Sequence, residues 1–148
     1  MEHKTESVLD LWRERLYPLL ELIVQSIQKP SDACTGKSLG ERNPETIEQL
    51  LPFLEWLHRD YFHVRTDGWE HIPSGQALLI GSHNGGLAIP DTLTMTYDWL
   101  QRFGIERPVY ALMEPTMWTA MPTLACLAAQ VGAIQARPQM AIAALKPR

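Results

Sequence analysis

The residues best suited to chemistry stand together in one segment, Gly81-Ser82-His83-Asn84-Gly85-Gly86-Leu87-Ala88-Ile89-Pro90-Asp91. Imidazole titrates near neutral pH, so His83 could take a proton from a hydroxyl. The apolar run Ala77-Leu78-Leu79-Ile80 precedes it, and a helical pattern opens at Asp91. That order predicts a buried strand, a turn and a helix. Open α/β folds bind ligands at the carboxyl ends of their strands, which is where His83 would then sit. Gly85 and Gly86 allow close backbone approach and could aim N–H groups at an anion or a developing oxyanion. A tight turn holding a hydrogen-bonded His is the competing reading, and residue type and spacing alone do not separate the two.

Other chemistries lack their residues. The nucleophile elbow needs G-x-S-x-G, whereas Ser82 directly follows Gly81 and precedes His83. No phosphate-binding G-x-x-x-x-G-K-[ST] occurs, and the glycine spacing does not fit G-x-G-x-x-G. His58 and His63 lie five apart, but a break after Asp60 separates them, so they read as solvated or locally capped rather than as metal ligands. Cys34 and Cys126 form no C-x-x-C and no Cys/His ligand spacing. Neither a disulfide framework nor a zinc site is expected, and a reducing, cytoplasmic compartment fits. The first residues show no charged-then-apolar signal pattern.

The elements that must position His83 follow from periodicity. The chain has 148 residues, 45% of them hydrophobic and 20% charged, enough for one domain with a real core. Its net charge of -4, with no basic run, argues against nucleic acid as the main partner. Residues 7–28 predict an amphipathic helix kinked at Pro18. Residues 29–43 predict a loop, and Asn43-Pro44-Glu45 predicts a helix start, with apolar residues at helical spacing to Leu57. Beyond Asp60 strands are expected at 61–65, 76–81, 108–113 and 133–137. Helices are expected at 91–103, at 117–131 with an interruption at Pro122, and from 138 onward. The uncharged stretch 115–134 reads as a buried helix flanked by loops rather than a membrane span, because Pro115 and Pro122 interrupt it. The expected fold class is α/β. An N-terminal amphipathic helical pair (1–60) is followed by a β-α-β-α-β-α layer with a largely parallel sheet (61–148).

From about Phe62 onward the chain resembles the phospholipid/glycerol acyltransferase family. Gly68-Trp69-Glu70-His71-Ile72-Pro73 is similar to the lead-in before the family's first strand. Gly81-Ser82-His83-Asn84 resembles its first block, and Gly132-Ala133-Ile134-Gln135-Ala136-Arg137 its second. The glycine-rich first block is closer to the diacylglycerol acyltransferase-like branch. The resemblance covers roughly the last 85 residues.

The resemblance implies transfer of a fatty acyl group from a thioester, on coenzyme A or a carrier protein, to a glycerolipid hydroxyl. His83 is then the general base, with Asp91 as the carboxylate that holds its ring. Asn84, Gly85, Gly86 and Arg137 fall on the substrate side, Arg137 matching a position that binds a phosphate-bearing acceptor. No cofactor or metal is implied beyond the thioester co-substrate. One departure stands out: the family places four residues between its His and Asp, and here seven intervene before Asp91. Asp91 either reaches His83 through a looped-out glycine pair or serves as the helix N-terminal carboxylate. Arg137 has an alternative as a surface residue at a strand end. A non-catalytic lipid- or protein-binding module and a hydrolase are the other functional classes. The expected location is cytoplasmic and peripheral at a membrane, with the helical pair and its Trp12, Tyr17 and Trp56 as the docking face. The resemblance stops at the second block, so the 148-residue chain is expected to be the front part of such a domain and inactive alone.

Overall fold

A computed structural model describes residues 8–28, 34–82 and 89–146. The first helical stretch runs through α1 (Val8–Leu11), a π-helical segment (Trp12–Leu16) and α2 (Tyr17–Gln28). Pro18 has no N–H with which to close an α-helical bond to residue 14. The backbone meets this by widening into the π register just before it. α2 buries Leu22 and Ser26 and leaves Tyr17, Leu20, Val24 and Ile27 exposed.

The second helix begins as its residues dictate. Asn43 Oδ1 accepts from the N–H groups of Glu45 at 2.9 Å and Thr46 at 3.4 Å, and Pro44 opens α3 (Pro44–Trp56). The helix continues into a π-helical turn, Leu57–Tyr61. The strand expected at 61–65 is not there. The N–H groups of Phe62 and Val64 turn back onto the carbonyls of Leu57 and His58, at 2.9 and 2.8 Å, so no strand neighbour can take them. His63, at φ 48°, completes the reversal.

One core joins the two halves. Leu22 of α2, Leu50 and Leu54 of α3, Tyr97 of α4 (Pro90–Phe103) and Leu127 of α6 (Pro122–Val131) pack together, flanked by Leu19, Phe53, Leu93 and Val131. Apolar burial drives this assembly, and trimming a buried Leu to Ala costs on the order of 2–5 kcal/mol.

The sheet is short and parallel. β1 (Ala111–Met113) pairs with β2 (Ala133–Gln135) in the register Ala111↔Ala133, Leu112↔Ile134, Met113↔Gln135. α5 (Met117–Ala120) and α6 form the crossover, divided at Pro122 as the sequence predicts. Gly132 ends α6 at φ 115°, and a Cβ there would lie 2.7 Å from the Val109 carbonyl oxygen. α7 (Pro138–Ala144) follows β2. The architecture is therefore mixed α/β, mostly helical, with a two-stranded parallel sheet among the described residues. The strand expected at 76–81 is also corrected. Leu78, Leu79 and Ile80 are 60%, 44% and 89% exposed and take no ladder partner among the described residues. Their apolar run satisfies the residue preferences of a strand, but a strand also needs a neighbour to bond.

Cys34 and Cys126, 92 residues apart, are joined by a disulfide with Cα atoms 4.9 Å apart, against the expectation of unpaired cysteines. The bond ties a strap, residues 34–43, to α6. Gly36 in the strap has φ 65° and packs against the Trp118 indole so closely that a Cβ would overlap the ring. No described helix is long and apolar enough to cross a membrane.

Candidate functional site

His83, Asn84, Gly85 and Gly86 lie outside the described residues, and the flanks of their segment are defined. Gly81 and Ser82 are exposed on the near side. On the far side Ile89 has φ 40° and ψ 45°, left-handed values that a β-branched residue adopts at a cost of about 1–3 kcal/mol. Pro90 is the first residue of α4, and Asp91 lies in its first turn. Asp91 is half-buried, with Oδ1 inaccessible to solvent. A carboxylate there complements the helix dipole. Thr94 fixes this turn by donating its hydroxyl to the Pro90 carbonyl at 2.8 Å.

Arg137 stands at the carboxyl end of β2. Its Nε donates to Gln135 Oε1 at 2.7 Å, and its backbone N–H to the Gln135 carbonyl at 2.7 Å. Gln135 is 5% exposed and Arg137 is exposed. The buried amide thus holds one side of the guanidinium. Among the described residues nothing occupies its two terminal nitrogens, the pair that meets a carboxylate or phosphate bidentately. No described contact joins Asp91 to Arg137.

A second cluster was not visible in the sequence. His58 Nε2 lies 3.0 Å from Asp98 Oδ2, with each side chain 11% exposed, so His58 is buried and paired rather than solvated. The approach is off the axis of a well-aligned hydrogen bond, which makes the contact chiefly electrostatic. Thr66 donates its hydroxyl to the same oxygen at 2.6 Å and accepts from Trp69 Nε1 at 2.9 Å. Asp98 comes seven residues after Asp91, so both carboxylates face one side of α4, about 10 Å apart along its axis. Tyr97 packs its ring 5.0 Å from the His58 ring. Burial, and then the Glu55 carboxylate, raise its phenol above the ordinary tyrosine range. A cavity of about 270 Å³ opens beside the cluster, lined by Thr66, Asp67, Gly68, Trp69, Ile72 and Met95. The single local feature that could have pointed to it is Asp98, a charged residue buried among the inward-facing positions of α4. His63 is locally capped as expected, its Nδ1 being 2.7 Å from the Arg59 carbonyl.

Among the described residues no three His, Cys, Asp or Glu side chains gather to hold a metal. Comparison with protein-family models, with curated proteins and with solved structures finds no match to the chain.

Proposed function

We propose that this chain belongs to an acyltransferase that moves a fatty acyl group from a thioester donor to a glycerolipid hydroxyl. The observation that carries the reading is Arg137, at the carboxyl end of a parallel strand, pinned through Nε by a buried amide and offering its terminal nitrogens outward. Set beside the family-like motifs, this suits an acceptor with a phosphate. His83 takes the acceptor hydroxyl proton as oxygen attacks the thioester carbonyl. The resulting imidazolium returns the proton to the departing thiolate. Asp91 opens the helix that follows His83, and it joins the mechanism only where its carboxylate reaches the imidazole directly or through one water.

The contact with the membrane falls to the N-terminal helices. Exposed Tyr17, Leu20, Val24 and Ile27 recur on one face of α2, beyond the apolar residues it buries against the core. The same stripe would serve a non-catalytic lipid- or protein-binding module. A radiolabelled acyl thioester, given to the protein with and without a glycerolipid acceptor, separates the readings. Acceptor-dependent transfer supports the proposal. Release of fatty acid to water regardless of acceptor marks a hydrolase, and absence of turnover with retained liposome flotation marks a binding module.

A further inference from the structure

The Cys34–Cys126 bond and the Arg137 guanidinium are connected. Gln135 spans the gap between them: its Oε1 accepts from Arg137 Nε at 2.7 Å and its Nε2 donates to the Thr35 carbonyl at 2.8 Å. Its backbone N–H donates to the Gly36 carbonyl at 2.8 Å. Thr35 and Gly36 directly follow Cys34, which the disulfide fastens to α6. A primary amide is symmetric in shape, so only its partners decide which end faces which way. The Thr35 carbonyl requires the NH2 end, and that turns the oxygen toward Arg137. The carbonyls of Thr35 and Gly36 are in turn placed by the Glu41 carboxylate. It accepts from Thr35 N–H at 3.0 Å, Thr35 Oγ1 at 2.9 Å and Gly36 N–H at 2.8 Å.

We propose that Gln135 is a positioning residue for the Arg137 guanidinium, and that the Cys34–Cys126 bond is a redox-operated clamp on that arrangement. With the disulfide closed, the strap holds the Gln135 amide and the guanidinium presents its terminal nitrogens in one direction. With the disulfide open, the strap end is freed from α6, the amide loses its fixed carbonyl, and Arg137 Nε loses its acceptor. Reduction is a two-electron exchange with an external dithiol. A thiolate of the dithiol attacks the Cys34 sulfur, and the Cys126 sulfur departs as a thiolate and takes a proton. The second thiol of the reductant then releases Cys34, leaving two protein thiols and one reductant disulfide. Cys34 is the accessible end, because it lines an open cleft of about 500 Å³ together with Glu41, Arg42, Asn43 and Gln130, whereas Cys126 is buried. The clamp itself does not require that the chain be an acyltransferase. Its use in holding an acceptor phosphate rests on that reading.

The test follows the Arg137 Nε–H by NMR in the full 148-residue chain, with far-UV circular dichroism to confirm folding. Measurements are made oxidised, after dithiothreitol, and in Gln135→Met. Expected is slow hydrogen exchange of that group in the oxidised protein. Exchange should be about tenfold faster after reduction and in the variant, the scale of one charge-assisted hydrogen bond. The reversible reduction keeps the test valid if the buried substitution fails to fold. Exchange unchanged by dithiothreitol overturns the redox clamp, and exchange unchanged in folded Gln135→Met overturns the positioning role. Titration with inorganic phosphate separates the two readings. A redox-sensitive Nε–H with no phosphate response in either state upholds the clamp and counts against the phosphate-bearing acceptor.

Discussion

Along β2 the flank facing away from β1 is covered by the strap at Gln135. Gly132 and Ala136 bond toward β1, and the alternate position, Gln135, directs its N–H outward to Gly36 in the strap. That strap is fixed by a disulfide, by the Glu41 carboxylate, and by Asn43 N–H donating to the Gln130 carbonyl at 2.8 Å. Along β1 the corresponding flank is bare. Leu112 is 47% exposed, and its backbone groups take no backbone partner among the described residues. The apolar stretch 77–80 is exposed as well. It begins just beyond Pro73 and Gly75, whose carbonyls Arg107 holds at 2.6 and 3.5 Å. Arg107 is fixed over the rings of Trp99 and Phe103, 5.0 and 4.3 Å from their centroids. The two flanks show that an irregular segment with specific partners finishes a sheet edge, whereas a strand-like sequence without a partner does not.

Substitutions can break this comparison. The largest effect is expected at Gly36→Ala on the occupied flank. The left-handed backbone and the overlap with Trp118 together cost on the order of 3 kcal/mol, read as a fall in the urea midpoint at constant slope. On the bare flank Arg107→Ala removes two cation–π contacts and the tether, costing about 1 kcal/mol. It should also speed proteolysis within 73–80. Ile80→Lys, at a residue 89% exposed, should change stability by no more than about 0.5 kcal/mol. A cost near that of Gly36→Ala would show that residue 80 is packed in solution and that the flanks are alike.

How far the sequence could be read follows from the same contrast. Helix starts are local chemistry: Asn43 caps, and Pro44, Pro90, Pro122 and Pro138 each sit at a first helical position, so α3, α4, α6 and α7 were legible. Strands depend on distant partners. The β-rich 61–65 and the apolar 76–81 therefore failed as strands, while 111–113 and 133–135, joined across a helical crossover, formed within the expected ranges. The cysteine pair and the His58–Asp98 pair were illegible for the same reason, since 92 and 40 residues separate their members and neither spacing is a motif. Arg137 was singled out by resemblance, but the residue that orients it, Gln135, was not. A buried glutamine in a strand gives no local sign of its role.

The central claim is that His83 is the base of an acyl transfer. The most direct measurement is acceptor-dependent turnover by the protein and its His83→Ala variant, with circular dichroism to show equal folding. The account predicts that the variant loses about 10²–10⁴-fold in turnover, the contribution of a positioned general base. A folded variant that transfers acyl groups at close to the parent rate would contradict it.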